Sequence, residues 1–142
     1  MEFVVYGEPI PQGRPRFTKA GHSYDPQRSK NYKLLVRFWV TQQLKKINGW
    51  KPLENALSVD LTFFTGIPTS WSKKKRTEAI NGEIMPVSRK PGDIDNLVKS
   101  VLDSCNGLIW ADDSIITDLT ARKRYTGDEA KVIIKITRCH GC

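Results

Sequence analysis

Between Lys90 and Asp113 the chain reads KPGDIDNLVKSVLDSCNGLIWADD, with five aspartates, no glutamate and a single internal lysine, Lys99. Aspartates in such a pattern can cap helices, pair with cations on a helix surface, or hold a hard metal ion through carboxylate oxygens. Leu97, Val98, Val101, Leu102 and Cys105 recur at helical spacing and mark the buried side of a helix running from Asp93 to about Asn106, stopped by Gly107. Asp95, Lys99 and Asp103 then share the other side. Asp93 and Asp95 bracket one residue, so their carboxylates can converge at the helix start. Trp110-Ala111-Asp112-Asp113 carries a second acid pair into the following strand, which a short turn makes a neighbour of the helix. A few carboxylates on a helix and an adjoining strand are the donor set Mg²⁺ takes when it keeps waters and sites for substrate phosphates. An EF-hand is excluded, because Val98 and Ser104 stand where that loop needs glycine and glutamate.

A purely structural reading also exists. Asp93 would be the N-cap, and Asp95, Lys99 and Asp103 would form surface ion pairs worth a few tenths of a kcal/mol each, roughly. Other chemistries find little support. His22 and His140 are the only histidines, so no Ser-His-Asp or Cys-His arrangement is credible. The glycine-rich phosphate loop of P-loop proteins is absent, which removes a nucleotide cofactor of that kind. The tail RCHGC offers Cys139, His140 and Cys142, short of the four ligands of a structural zinc; it is a frayed end or half of a site shared across a dimer.

Lys and Arg number 23 against 15 acidic residues, a net charge of +8 and a pI near 9.5, which points to a polyanionic partner such as nucleic acid. The cations fall in clusters: Arg14, Arg16 and Lys19; Lys73, Lys74, Lys75 and Arg76; Arg89 and Lys90; Arg122, Lys123 and Arg124. Each alone reads equally as a solvated face; around an acidic metal site they read as a surface that tracks phosphates. Trp71 beside the lysine run could stack on a nucleic-acid base or simply pack in the core.

The elements that would position these residues are legible from periodicity. Glu2 to Tyr6 reads as a strand, followed by a loop or ragged hairpin, GEPIPQGRPRFTKAG. Tyr32, Leu35, Val36, Trp39, Val40 and Leu44 mark a helix from Pro26 to about Lys46, with Asp25 as N-cap. Leu57, Val59, Leu61 and Phe63 alternate with polar residues as a half-buried strand. A short charged helix is expected to begin near Thr69 or Ser70. Ile115 to Tyr125 and Ala130 to Thr137 read as strands joined at Gly127-Asp128. This order predicts one small α+β domain spanning residues 1–142, a mixed sheet with helices packed on it. Cys105 is expected to pack in the core. No apolar run reaches the ~20 residues of a membrane span, and Met1 opens directly into a strand, so a cytoplasmic address with no membrane partner is expected.

The block P-G-D-I-D-N-L-V-K-S-V-L-D, followed by N-G and W-A-D-D, resembles the RusA family of Holliday junction resolvases. GEPIPQGRPRFT and Tyr24-Asp25-Pro26 are also family-like. The resemblance implies a homodimeric, Mg²⁺-dependent endonuclease that resolves four-way DNA junctions in recombination and repair. Carried over by motif, it implies Asp93, Asp95 and Asp113 as metal ligands, with Asp112 as the alternative to the last, and Lys99 as a catalytic lysine. Each subunit would then supply a complete set. One departure stands out: the family can carry a basic residue where this chain has Gly92, a charge that Arg89 or Lys90 could supply. The rival readings are a non-catalytic DNA-binding protein whose aspartates only cap, a D-x-D transferase, and a metal-stabilised interaction module built on the tail.

Overall fold

A strand with one apolar face organises the molecule. The computed structural model describes residues 1–138 apart from Arg14, Pro15, Thr18, His22, Asp25 and Arg89, and leaves the side chains of Arg16, Phe17, Ser23 and Tyr24 aside. The expected roles of those residues and of the Cys139–Cys142 tail lie outside this description. In chain order the strands are β1 (Glu2–Tyr6), β2 (Arg16–Phe17), β3 (Ser23–Tyr24), β4 (Leu57–Gly66), β5 (Ile116–Thr126) and β6 (Lys131–Arg138). The helices are α1 (Gln27–Leu44), α2 (Lys73–Ile80) and α3 (Ile94–Cys105), with a 3₁₀ turn at Asp113–Ile115.

Strand order in the main sheet is β1-β6-β4-β5, with β4 antiparallel to β6 and parallel to β5. The sheet is therefore mixed, as expected. β2 and β3 form the separate small hairpin of the N-terminal loop. β5 and β6, although joined by a few residues at Gly127-Asp128, do not pair; β4 lies between them. Leu57, Val59, Leu61 and Phe63 are buried together with Phe3, Val5, Val132 and Ile134 from the neighbouring strands. Burying these apolar faces against the helices is the main stabilising term of the fold.

Helix α1 presents Ser29, Tyr32, Val36, Val40 and Leu44 to the core, the spacing the sequence announces. Its partner α3 presents Leu97, Ser100, Val101, Ser104 and Cys105. Arg37 of α1 donates to the carbonyls of Ser104 and Asn106 at 3.0 and 3.5 Å, a cation placed where the helix dipole of α3 favours one. The edge strand β1 is protected as well: Gln43 accepts from Val4 N–H at 3.0 Å and donates to its carbonyl at 2.7 Å. No helix among the described residues is long and apolar enough to cross a membrane.

Helix boundaries shift where capping chemistry decides them. Helix α2 starts at Lys73 rather than near Thr69, because Ser72 accepts from Lys75 N–H at 3.2 Å and Trp71 N–H first closes a turn onto Pro68. Helix α1 is preceded by Pro26 and ends at Leu44, slightly short of the expected end.

Candidate active site at the start of helix α3

Two contacts and a glycine set how the chain enters α3. Lys123 Nζ on β5 donates to the Gly92 carbonyl at 2.9 Å, and Gln12 N–H donates to the Asn96 carbonyl at 2.9 Å. Gly92 has φ +113°, a conformation side chains rarely adopt, and a Cβ there would lie 2.7 Å from Pro11 Cγ. The Lys90–Pro91 peptide is cis.

Asp93 occupies the N-cap position of α3, yet its side chain makes no capping hydrogen bond and has no partner among the described residues. The structural role that would have explained it is not taken. Asp95, in the first turn, accepts from Asn96 N–H at 2.9 Å. Lys99 lies one turn further, exposed, with no ion pair to Asp95. Asp103 faces α1 instead, 3.8 Å from Lys33. At this end of the helix two carboxylates and an ammonium thus face solvent, where the N-terminal dipole favours the negative charges.

Asp112 and Asp113 separate by role. Asp112 accepts from Ser114 N–H at 3.0 Å and caps the 3₁₀ turn; its hydrogen bonds to Ser114 hold its carboxyl below the usual range. Asp113 is half-buried and its carboxylate has no partner among the described residues.

The expected convergence of Asp113 with Asp93 and Asp95 within one chain is not what the fold produces. Gly107 N–H bonds to the Trp110 carbonyl at 2.7 Å and Ala111 N–H to the Leu53 carbonyl at 2.9 Å, which pins this segment at the C-terminal end of α3. Twelve helical residues span about 18 Å, and Asp93 is at the other end. Among the described residues no group of three or more His, Cys, Asp or Glu side chains could hold a metal ion. The short turn does make helix and strand neighbours, but it joins the end of one to the start of the other.

Basic residues surround the helix start unevenly. Arg122 binds Asp60 at 2.7 Å and Thr62 at 3.0 Å, and Arg124 donates to the Lys123 carbonyl at 2.8 Å. These contacts tie the strand cluster into the fold. Within the lysine run, Lys75 sits 4.0 Å over the Trp71 ring and Arg76 donates to the Pro68 carbonyl at 3.2 Å. Lys73 and Lys74 are exposed in the first turn of α2, with no acid in that turn to balance them. Lys19 and Lys90 are exposed, and Lys90 Nζ lies 3.6 Å from Glu8. The positioning role of Lys123 escaped the sequence reading. Its pairing opposite Phe63 turns it to the helix-covered side of the sheet, a signal that alternation along β5 carries.

A small α+β protein with acids and a lysine at one exposed helix start, and lysines around it, has the makings of a nuclease acting on a polyanion. The family comparison agrees: the family model for Endodeoxyribonuclease RusA matches residues 6–137, and the chain belongs to the RusA family of endodeoxyribonucleases. It is also 38% identical over 141 residues to the uncharacterized protein YqaN of Bacillus subtilis (strain 168), covering 96% of this chain and 94% of that protein.

Proposed function

We propose that the chain is a Mg²⁺-dependent endonuclease that resolves four-way DNA junctions by paired nicks in strands of like polarity, acting as a homodimer in recombination and repair. The observation that carries this reading is the pair Asp93 and Lys99. In a family of endodeoxyribonucleases, both motif residues stand without the structural partners that would account for them. Asp93 and Asp95 suit a hard divalent cation by donor chemistry, and Asp93 has its carboxylate free of capping. When bound, such an ion supplies charge stabilisation to the phosphoryl oxygen and acidity to a bound water. Lys99 Nζ, on the same face, holds a phosphate oxygen and offsets the negative charge that builds up on the phosphoryl group. Asp95 keeps its orientation through the Asn96 N–H.

Asp113 is the third carboxylate of this reading, because Asp112 is engaged as a cap. A carboxylate a helix length away joins the pair when a second copy of the chain presents its own Asp113 there. That revises the expectation of a complete set within each subunit, and it gives the homodimer a chemical reason besides the two-fold symmetry of the junction. Lys19, Lys73, Lys74 and Lys90, together with Arg14, Arg16 and Arg89, would contact backbone phosphates, while Lys75 and Arg76 act chiefly within the fold.

The test is cleavage of a synthetic four-way junction and a matched linear duplex, with and without Mg²⁺. The reading predicts paired nicks on the junction only, and only with the cation. Binding of the junction without cleavage under any divalent cation would favour a non-catalytic DNA-binding protein instead.

A further inference from the structure

A cavity of about 430 Å³ opens beside the candidate active site, between the β4–α2 connection and the turn that leads into α3. Its walls include Thr65, Pro68, Ser70, Ser88, Lys90 and Tyr125. One wall is a braced aromatic: the Tyr125 and Trp71 rings meet edge-to-face, centroids 5.2 Å apart at 66°, and Trp71 is held in turn by Lys75 over its face. Opposite charges brace the floor. Glu8 accepts from Thr65 Oγ1 at 2.9 Å and Gly66 N–H at 2.8 Å, and Lys90 Nζ lies 3.6 Å away with most of its side chain exposed. Ser70 and Thr69 are exposed at the rim with hydroxyls free of partners among the described residues. Lys90 connects to Asp93 through two residues only, which ties this wall of the cavity to the start of α3.

Resting on the endonuclease reading, we propose that this cavity takes one unstacked nucleotide of the DNA substrate, its base against the Tyr125 ring and its phosphate at Lys90. The volume suits a base with its sugar. A rigid ring offers the stacking face that single-stranded nucleic acid uses without regard to sequence. The hydroxyls offer donors and acceptors to a base edge. Charge complementarity excludes an apolar peptide: the rim carries Lys90, and α2 begins nearby with exposed Lys73 and Lys74, an arrangement its own helix dipole disfavours and an anion relieves. The turn that forms the Ser88 and Lys90 wall also carries Val87, 88% exposed, and with Met85 and Ile94 it lines a second cavity of about 410 Å³. That exposed apolar ridge suits the space a displaced base leaves in the stack.

The experiment places a single 2-aminopurine at each position flanking the branch of a four-way junction and follows its emission without Mg²⁺, with binding read by anisotropy of a distant label. Wild-type protein is expected to change the emission at one position. Tyr125→Phe should retain that change. Tyr125→Leu should abolish it and weaken binding roughly 5- to 150-fold, the range for losing one stacked base. Ser70→Phe fills the cavity from an exposed position without removing any packing, so its expected loss of the signal covers the case in which Tyr125→Leu fails to fold. Tight binding with no emission change at any position, or an undiminished change in Ser70→Phe, would overturn the pocket while leaving the endonuclease reading intact. Failure of the wild type to bind junctions would overturn both.

Discussion

Gly92→Ala tests the geometry that delivers Asp93 to its position. Two costs add. An alanine at φ +113° enters a region close to glycine-only, worth about 1–3 kcal/mol. Its Cβ would also lie 2.7 Å from Pro11 Cγ and 3.1 Å from Pro11 Cβ, ring atoms that cannot swing aside, and overpacking of this kind costs about 1–3 kcal/mol. The sum, about 2–6 kcal/mol, corresponds to a fall in Tm of roughly 5–20 °C for a domain of this size. Gly107→Ala is the control, with φ +77° but nothing within 4 Å of the added carbon, so it carries the backbone cost of about 1–2 kcal/mol alone. Thermal unfolding by circular dichroism of both variants, and of Gly92→Ala in a Pro11→Ala background, separates the terms. The double variant should recover part of the loss because the ring is gone. Equal Tm values for the two single variants, or no coupling to Pro11, would refute the close approach.

The other predictions concern the site and the core. Lys99→Ala should lower single-turnover cleavage at least 10-fold while junction affinity falls little, and Lys99→Arg should rescue it only in part, since a planar fork does not replace a compact ammonium; equal losses in binding and turnover would make Lys99 an ordinary phosphate contact. Mixing Asp95→Asn with Asp113→Asn, each inactive alone, should restore nicking of one strand, because a mixed dimer then holds one intact composite site; continued silence from the mixture would return Asp113 to the chain's own site or to none. Burial pushes the Cys105 thiol up to about 12 from 9.0, so the unfolded chain releases this proton first as pH rises. Stability from this group is full below pH 9, falls above it and is gone near 12, which urea midpoints across that window read directly; a flat profile would contradict the buried thiol.

Much of this architecture was legible in the residues because periodicity reports burial. The stripe from Tyr32 to Leu44, the alternation from Leu57 to Phe63 and the apolar side of α3 all face the core as their spacing demands. Sheet order was not legible, since nothing local says that β4 separates two strands joined at Gly127-Asp128. The candidate site was half legible. Residue types and helical spacing place Asp93, Asp95 and Lys99 together, because one helix turn is a local geometry. Asp113 misled because a short connection brings elements together without saying which ends meet. Charge counting does not single out Arg122 and Lys123 for a related reason: a cation near the site also serves the fold when the register turns it toward an acceptor, Asp60 in one case and the Gly92 carbonyl in the other.

The measurement that bears most directly on the acids of α3 is single-turnover cleavage of a four-way junction by Asp95→Asn, with binding followed on the same molecules. Removing the carboxylate charge leaves the basic surface untouched, so the junction should bind at least as tightly as to wild type while Mg²⁺-dependent cleavage disappears. Cleavage by Asp95→Asn at the wild-type rate would contradict the account, leaving the aspartates as ornaments of a helix start and the catalytic centre elsewhere in the molecule.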